Sequence, residues 1–286
     1  MKIASIDIGT NAIKSKIFET TPTQIIFHEG IRSPMRLGEE VFNKGYITKK
    51  KLDELIKILK KYQNTFSTKD IQLYEIVATS ALRDSSNSEE ARRYIENNID
   101  HPIRIISGLE EANLIKFHPK AKEKNKRMFV DVGGGSTDIF IYQNNKNIIK
   151  SFQLGAVRCM QEKDDKEEWH RFRNWLKKQN EIDTLVGLGG NIRSFLNIHK
   201  SKRMKNNKFL DETKKLSTKS TNEKIQKFGL AFDRADVIDH AMKIFIEIVK
   251  TLNISEIKST KWGVSDSIAV KLFHEIYSKK IDITNN

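Results

Sequence analysis

Two aspartates in this sequence stand in similar company. Asp7 closes the apolar run Ile3 to Ile6 and opens DIGTNAIK, while Asp131 closes Met128 to Val130 and opens DVGGGSTD. Each run has strand length and ends at an acid followed by glycine, which predicts a strand running into a tight turn. Gly9, Gly133, Gly134 and Gly135 carry no Cβ, so the backbone there is free to take positive φ and aim successive N–H groups at an anion. Thr10, Ser136 and Thr137 add hydroxyl donors. Such loops suit phosphate. A carboxylate at the strand end suits hydrated magnesium, because hard divalent cations prefer carboxylate oxygen and keep waters beside phosphates. Asp7 and Asp131 are therefore the candidate metal carboxylates. One such loop is equally well an ordinary hairpin turn with a solvated acid. Two copies predict two similar half-domains facing each other across a phosphate-binding cleft.

The elements that would carry these loops read as an alternation. Strand-like runs at 15–19, 24–28, 75–79 and 104–106 alternate with helical patterns at 49–62 and 88–97. After a basic stretch at 120–127 the pattern restarts, with strands near 128, 137 and 147, a helix at 165–178 and a strand at 184–186. Helices follow at 192–198, 234–252 and 265–277, the middle one entered through Asp233 as its cap. The fold class is α/β, and the restart divides the chain into residues 1–120 and 121–286.

Composition excludes several other classes. The 286 residues suffice for two domains of ~100 to 200 residues each. No apolar run approaches the ~18 residues that cross a bilayer, and Asp7 and Asn11 interrupt any leader, so a cytoplasmic protein is expected. The single cysteine, Cys159, rules out an internal disulfide or a cysteine zinc site and reads as a packing residue. The histidines lack HExxH spacing, and His101, His118 and His170 read as surface or loop residues. A net charge of +14, from 51 basic and 37 acidic residues, favours a polyanionic partner. Much of the excess lies at 120–127 and 200–224, where lysines interrupt any apolar periodicity and read as solvated loops. No aromatic-rich RNA-binding strand, zinc finger or basic zipper is present, so no specific nucleic-acid partner is expected.

The ordered motifs together resemble the exopolyphosphatase and guanosine pentaphosphate phosphohydrolase (Ppx/GppA phosphatase) family, within the actin-like ATPase superfamily. They are DIGTNAIK (7–14), RLGEEVFNKGYIT (36–48), ATSALRDSSN (78–87), IISGLEEANLI (105–115), DVGGGSTD (131–138), LGAVR (154–158), GLGGNIRS (187–194) and DRADVI (233–238). The resemblance implies two ribonuclease-H-like domains with an interdomain active-site cleft, Mg2+ dependence, and hydrolysis of a terminal phosphoanhydride in inorganic polyphosphate or guanosine pentaphosphate. It also implies the short form, without an extra helical domain, and members that are often homodimers.

Within ISGLEEA the family's catalytic base is Glu110 or Glu111. Ser107 and Glu110 have capping-box spacing, which gives Glu110 a structural task and leaves Glu111 as the general base; the alternative for Glu111 is to complement a helix dipole. Arg83 resembles the family's phosphate-contacting arginine, with an ion pair to Asp84 as the structural alternative. Gly187, Gly189 and Gly190 form a third glycine turn, expected to touch the remote end of the substrate, and Arg158, Arg193 and Arg234 are further candidates to line the cleft. The phosphate-binding set is thus Asp7, Gly9, Thr10, Asn11, Gly133, Gly134, Gly135, Ser136, Gly189 and Gly190. The chain departs from the family pattern at Ala12, Lys14 and Asn191, where serine, arginine and threonine are usual. It departs again at Ser265 and Ser267, where arginine and glycine are usual, so a positive charge is expected to be missing there. The leading expectation is an exopolyphosphatase; guanosine pentaphosphate hydrolysis and a weakly active binding paralogue are the alternatives.

Overall fold

The computed structural model describes residues 1–123 and 126–284. Its contacts divide the chain into two units, Met1–Ser107 with Val264–Asn286, and Gly108–Gly263.

The first unit begins with β1 (Lys2–Ile8), β2 (Ala12–Thr21) and β3 (Gln24–Pro34), an antiparallel meander. It continues through α1 (Leu37–Lys44), α2 (Lys49–Thr68), β4 (Leu73–Ala78), α3 (Ser80–Arg83), α4 (Ser88–Ile99) and β5 (Arg104–Ile105). Among the described residues the sheet order is β3-β2-β1-β4-β5, with β4 parallel to both β1 and β5. β1 is buried from Ile3 to Ile8, as a strand covered on both faces must be. Helix α2 forms where Leu52, Leu55, Ile56, Leu59, Tyr62 and Phe66 repeat with helical period on one buried stripe, entered through Thr48, whose hydroxyl accepts from Lys51 N–H.

The second unit opens with α5 (Gly108–Leu114) and a 3-10 turn at Ile115–Phe117, then β6 (Arg127–Val132), β7 (Thr137–Gln143) and β8 (Lys146–Phe152). There follow α6 (Ala156–Met160), α7 (Lys166–Leu176), β9 (Thr184–Leu188), α8 (Gly189–Ile198), β10 (Arg203–Lys205), α9 (Asn206–Ser217), α10 (Thr221–Phe228), α11 (Phe232–Ala235), α12 (Ile238–Thr251) and β11 (Glu256–Ser259). The sheet order among the described residues is β10-β11-β9-β6-β7-β8. Leaving out the short edge strand β10, this is the order of the first sheet again: a three-strand meander whose first strand has parallel neighbours on its other side. Each sheet has the ribonuclease-H-like arrangement the motifs imply.

The contact division differs from the one drawn near residue 120, for two reasons. Helix α5 packs on β7 and β8, and the last helix, α13 (Val264–Thr284), returns to β1, β2 and β4. Ser5 Oγ donates to the Ser265 carbonyl at 2.7 Å, and Lys16 Nζ reaches Asp266 Oδ2 at 2.5 Å. Ser265 is 2% exposed in this helix–sheet seam, so the position expected to lack a phosphate-binding charge is a packing position of the first unit.

Other expectations also change. The lysine-rich stretch 200–224 is mostly helical rather than loop: Phe209, Thr213 and Leu216 bury one face of α9, and a complete capping box between Ser220 and Glu223 starts α10. Asp233 lies inside α11, buried, and does not cap α12, which begins after Val237. His101 and His118 lie outside helices and strands as expected, His101 stacked on Tyr74 and His118 half-buried against the rings of Phe129 and Trp262. Residues 124 and 125 of the basic stretch 120–127 lie outside the described residues. No helix among the described residues is long and apolar enough to cross a membrane.

Candidate functional site

In the first unit β1 delivers Asp7 to the start of the first loop. The turn closes with Gly9 N–H donating to the Ala12 carbonyl at 3.2 Å, and a Cβ on Gly9 would stand 3.0 Å from that same oxygen. Crowding, rather than positive φ, requires glycine here. Among the described residues the glycines with positive φ are Gly45, Gly189 and Gly229, and none of Gly9, Gly133, Gly134 and Gly135 is among them. The Thr10 carbonyl accepts Gly38 N–H at 2.9 Å, and the Asn11 carbonyl accepts from Met35 and Arg36 at 3.2 and 3.1 Å. Thr10 Oγ1 does not face solvent: it is buried, 2.6 Å from Ser80 Oγ. Asp7 is also buried, and the register of β1 on β2 sets Lys14 directly opposite, with Nζ 3.2 Å from Asp7 Oδ2. Arg83 ends α3 with Nε 3.3 Å from Asp84 Oδ1 and NH1 donating to the Ile106 carbonyl at 2.9 Å. The ion pair that stood as its structural alternative is formed.

In the second unit β6 carries Asp131 to a loop whose carbonyls are all occupied. Gly133 N–H donates to the Ser136 carbonyl at 2.9 Å, closing the turn. The first amides of α6 then take the loop's own carbonyls: Ala156 bonds Gly133 at 2.9 Å, and Val157 and Arg158 bond Gly134 at 2.8 and 3.0 Å. Arg158 Nε donates to the Gly135 carbonyl at 2.9 Å, so this arginine braces the loop from behind. Ser136 Oγ donates to Asp138 Oδ2 at 2.9 Å and Thr137 Oγ1 to the Leu154 carbonyl at 2.6 Å, so the hydroxyls expected to face an anion are engaged within the protein. The N–H groups of Gly134, Gly135 and Ser136 donate to no acceptor among the described residues. Three successive amides without an acceptor of their own are candidate donors to an anion.

The third glycine turn is closed by the chain itself. A Cβ on Gly189, where φ is +77°, would fall 2.5 Å from Asp131 Oδ1, and one on Gly190 would fall 2.5 Å from an Arg234 guanidinium nitrogen. Asn191 is buried, donates from Nδ2 to the Val132 carbonyl at 2.8 Å and accepts from Arg234 NH1. These glycines are needed for close approach of Asp131 and Arg234, not for an open cradle. Arg193 NH1 lies 3.5 Å from the Thr260 carbonyl. Glu111 sits with Glu110 in the first turn of α5, which begins just after Ser107 and packs against β7 and β8.

Oxygen donors at Asp131 fit a hard divalent ion. The β6–β7 register places Asp138 opposite Asp131, where facing Cβ atoms lie ~5 Å apart and like charges destabilise each other unless a cation relieves them. No cluster of three or more His, Cys, Asp or Glu able to hold an ion occurs among the described residues. An ion held here would complete its shell with water and phosphate oxygens, as magnesium does.

Three contributors were not singled out from the sequence: Asp138, Gly38 and Gly155. A Cβ on Gly38 would overlap Thr10 Cγ2, and one on Gly155 would lie 2.5 Å from the Gly134 carbonyl group and from Gly135 C. Each loop is thus backed by a glycine from elsewhere in its own unit. Their signal is the repeated pair Leu37–Gly38 and Leu154–Gly155, in which both leucines are fully buried.

The sequence model of the Ppx/GppA phosphatase family matches residues 16–275. An exopolyphosphatase structure from Cytophaga hutchinsonii superposes with TM-score 0.83 at 19% identity, covering 96% of this chain and 98% of that one. The Ppx/GppA family member of Aquifex aeolicus superposes with TM-score 0.77 at 22% identity, covering 98% of each chain. At these identities the likeness is one of fold. A bifunctional 3-dehydroquinate synthase/phosphatase of Fusobacterium nucleatum is 27% identical over 86% of this chain, which spans 43% of that relative's length.

Proposed function

Since the chain belongs to the Ppx/GppA phosphatase family, we propose that it hydrolyses phosphoanhydrides and that its substrate is inorganic polyphosphate, from whose end it releases orthophosphate. The observation that carries this reading is the Gly133–Ser136 loop, with its carbonyls bound from behind and three amides left to receive an anion. In this reading those amides hold non-bridging oxygens of the terminal phosphoryl group. Glu111 accepts a proton from a water that attacks the phosphorus in line; the bond to the bridging oxygen breaks, and the shortened chain leaves with that oxygen. Asp131, with Asp138 across from it, would hold Mg2+, which supplies charge neutralisation at the phosphoryl oxygens when bound.

Two observations favour a linear inorganic polyanion over guanosine pentaphosphate. The chain carries a net +14, and the Gly189–Gly190 turn, the place where related kinases receive a nucleoside, is filled by Asp131 and Arg234. The test is orthophosphate release by the purified chain with Mg2+ and either substrate. Faster release from polyphosphate supports the reading. Faster release from guanosine pentaphosphate replaces it, and release from neither overturns both.

A further inference from the structure

The two loops share a cross-strand pattern with one difference. In the second unit the strand-end Asp131 pairs across β6–β7 with Asp138, and in the first the strand-end Asp7 pairs across β1–β2 with Lys14. The spacing in sequence is the same. One unit therefore places a second carboxylate opposite its strand-end aspartate, and the other places an ammonium there.

That ammonium is well situated to matter. Asp7 has 3% of its side chain exposed and Lys14 has 43%, with Nζ 3.2 Å from Oδ2. The carboxylate is sunk at the end of β1, and the lysine reaches it from the more open side, with its far end still hydrated. Cross-strand partners have Cβ atoms ~5 Å apart, so the register alone keeps Nζ near the carboxylate. A lysine ammonium is a compact point charge. A divalent ion arriving at Asp7 would meet it within a few ångströms, and at that range two cations repel even in water.

We propose that Lys14 is the resident cation of the first loop and keeps a divalent metal off Asp7, so that the metal taken up by this chain belongs to the second unit. The inference rests on the reading of this chain as a metal-using phosphohydrolase, and it assigns Asp7 a lysine counter-ion where the sequence pattern alone made it a metal ligand. Asp7 and Lys14 then act together as a neutral pair that orients the Gly9–Asn11 turn.

The test is Mn2+ binding to the full chain, followed by electron paramagnetic resonance of the free ion, with Mn2+ as a hard-ligand substitute for Mg2+. Wild type and Asp7→Asn are expected to bind Mn2+ with the same stoichiometry and affinity. Lys14→Met is expected to gain an additional Mn2+ equivalent, at an affinity for Asp7 at least about tenfold above wild type, and that gain should disappear in the Lys14→Met, Asp7→Asn double variant. Lys14→Arg keeps the charge and should gain nothing. Weakened Mn2+ binding in Asp7→Asn overturns the proposal, as does a Lys14→Met variant, folded by circular dichroism, that gains no metal. Asp131→Asn reports separately: unchanged Mn2+ binding there would refute the role given to Asp131, while the comparison of Lys14→Met with the double variant still decides the role of Lys14.

Discussion

Gly155→Ala tests how the second phosphate loop is held. The added Cβ would stand 2.5 Å from the carbonyl carbon and oxygen of Gly134 and from the carbonyl carbon of Gly135. All three are backbone atoms, so no rotamer change relieves the contact. Ordinary van der Waals separation begins at 3.4 Å, so the loop or the start of α6 must retreat by about 1 Å. Three hydrogen bonds cross that seam, at 2.9, 2.8 and 3.0 Å. A retreat of that size takes them out of bonding range. Overpacking costs about 1–3 kcal/mol and each weakened bond up to about 1 kcal/mol, so a loss of about 2–4 kcal/mol is expected. For a unit of this size that is a fall in Tm of about 5–12 °C. A 1 Å displacement of groups that position the reacting phosphoryl also lowers kcat about 100-fold. Differential scanning fluorimetry and phosphate release from polyphosphate measure the two effects. Gly45→Ala is the control, because nothing lies within 4 Å of its added Cβ and only the αL backbone is strained. A Gly155→Ala chain with wild-type turnover and a Tm within 2 °C of wild type would refute the argument that α6 clamps the loop.

Three further outcomes are expected. Glu111→Gln keeps size and shape and removes the base, so kcat should fall about 100- to 10,000-fold with polyphosphate binding retained; residual activity near wild type would remove Glu111 from the mechanism. Burial, with a contribution from Asp164, pushes the Cys159 thiol up to about 12, so iodoacetamide should leave it unmodified in the native chain at pH 8 and alkylate it after denaturation. His118 is held at about 4 by burial, with Lys120 adding to the depression. Lys120 N–H donates to Nδ1 at 3.1 Å, which leaves the proton on Nε2 toward Thr260 Oγ1 at 3.3 Å. The unfolded chain takes up the second ring proton, at Nδ1, more readily than the native one, so the stability is complete above about 6.5 and is lost as pH falls toward 4. The slope of Tm against pH in that window should flatten in His118→Asn, and an unchanged slope would assign it to other groups.

Much of the fold was legible in the sequence because its signals are local. Asp7 and Asp131 each follow a buried strand run and open a turn, and the alternation of strand and helix patterns gave the layered class. Helices α9 and α10 were not legible. Their apolar stripes are thin and interrupted by lysines, so their identity rests on Phe209, Leu216 and a capping box whose value appears only once the chain packs. The boundary near residue 120 followed a break in composition, but compactness is set by which sheet a helix covers, and α5 and α13 each cover the sheet that the linear order does not suggest.

The candidate site divides along the same line. Residue type and spacing determined that this chain carries two acid-and-glycine loops, a candidate base in a first helical turn, and a strongly basic surface, because these are properties of the chain read in order. Only the tertiary structure decided what each group faces. Hydroxyls of Thr10, Ser136 and Thr137 turned inward, Gly38 and Gly155 came from distant segments to back the loops, and Arg234 closed the third glycine turn. Lys14 and Asp138 took up matching positions opposite the two aspartates with opposite charge. The physical reason is that a hydrogen-bond partner or a counter-ion is a neighbour in space, fixed by register and packing, and neither is visible in a one-dimensional spacing until the strands are paired.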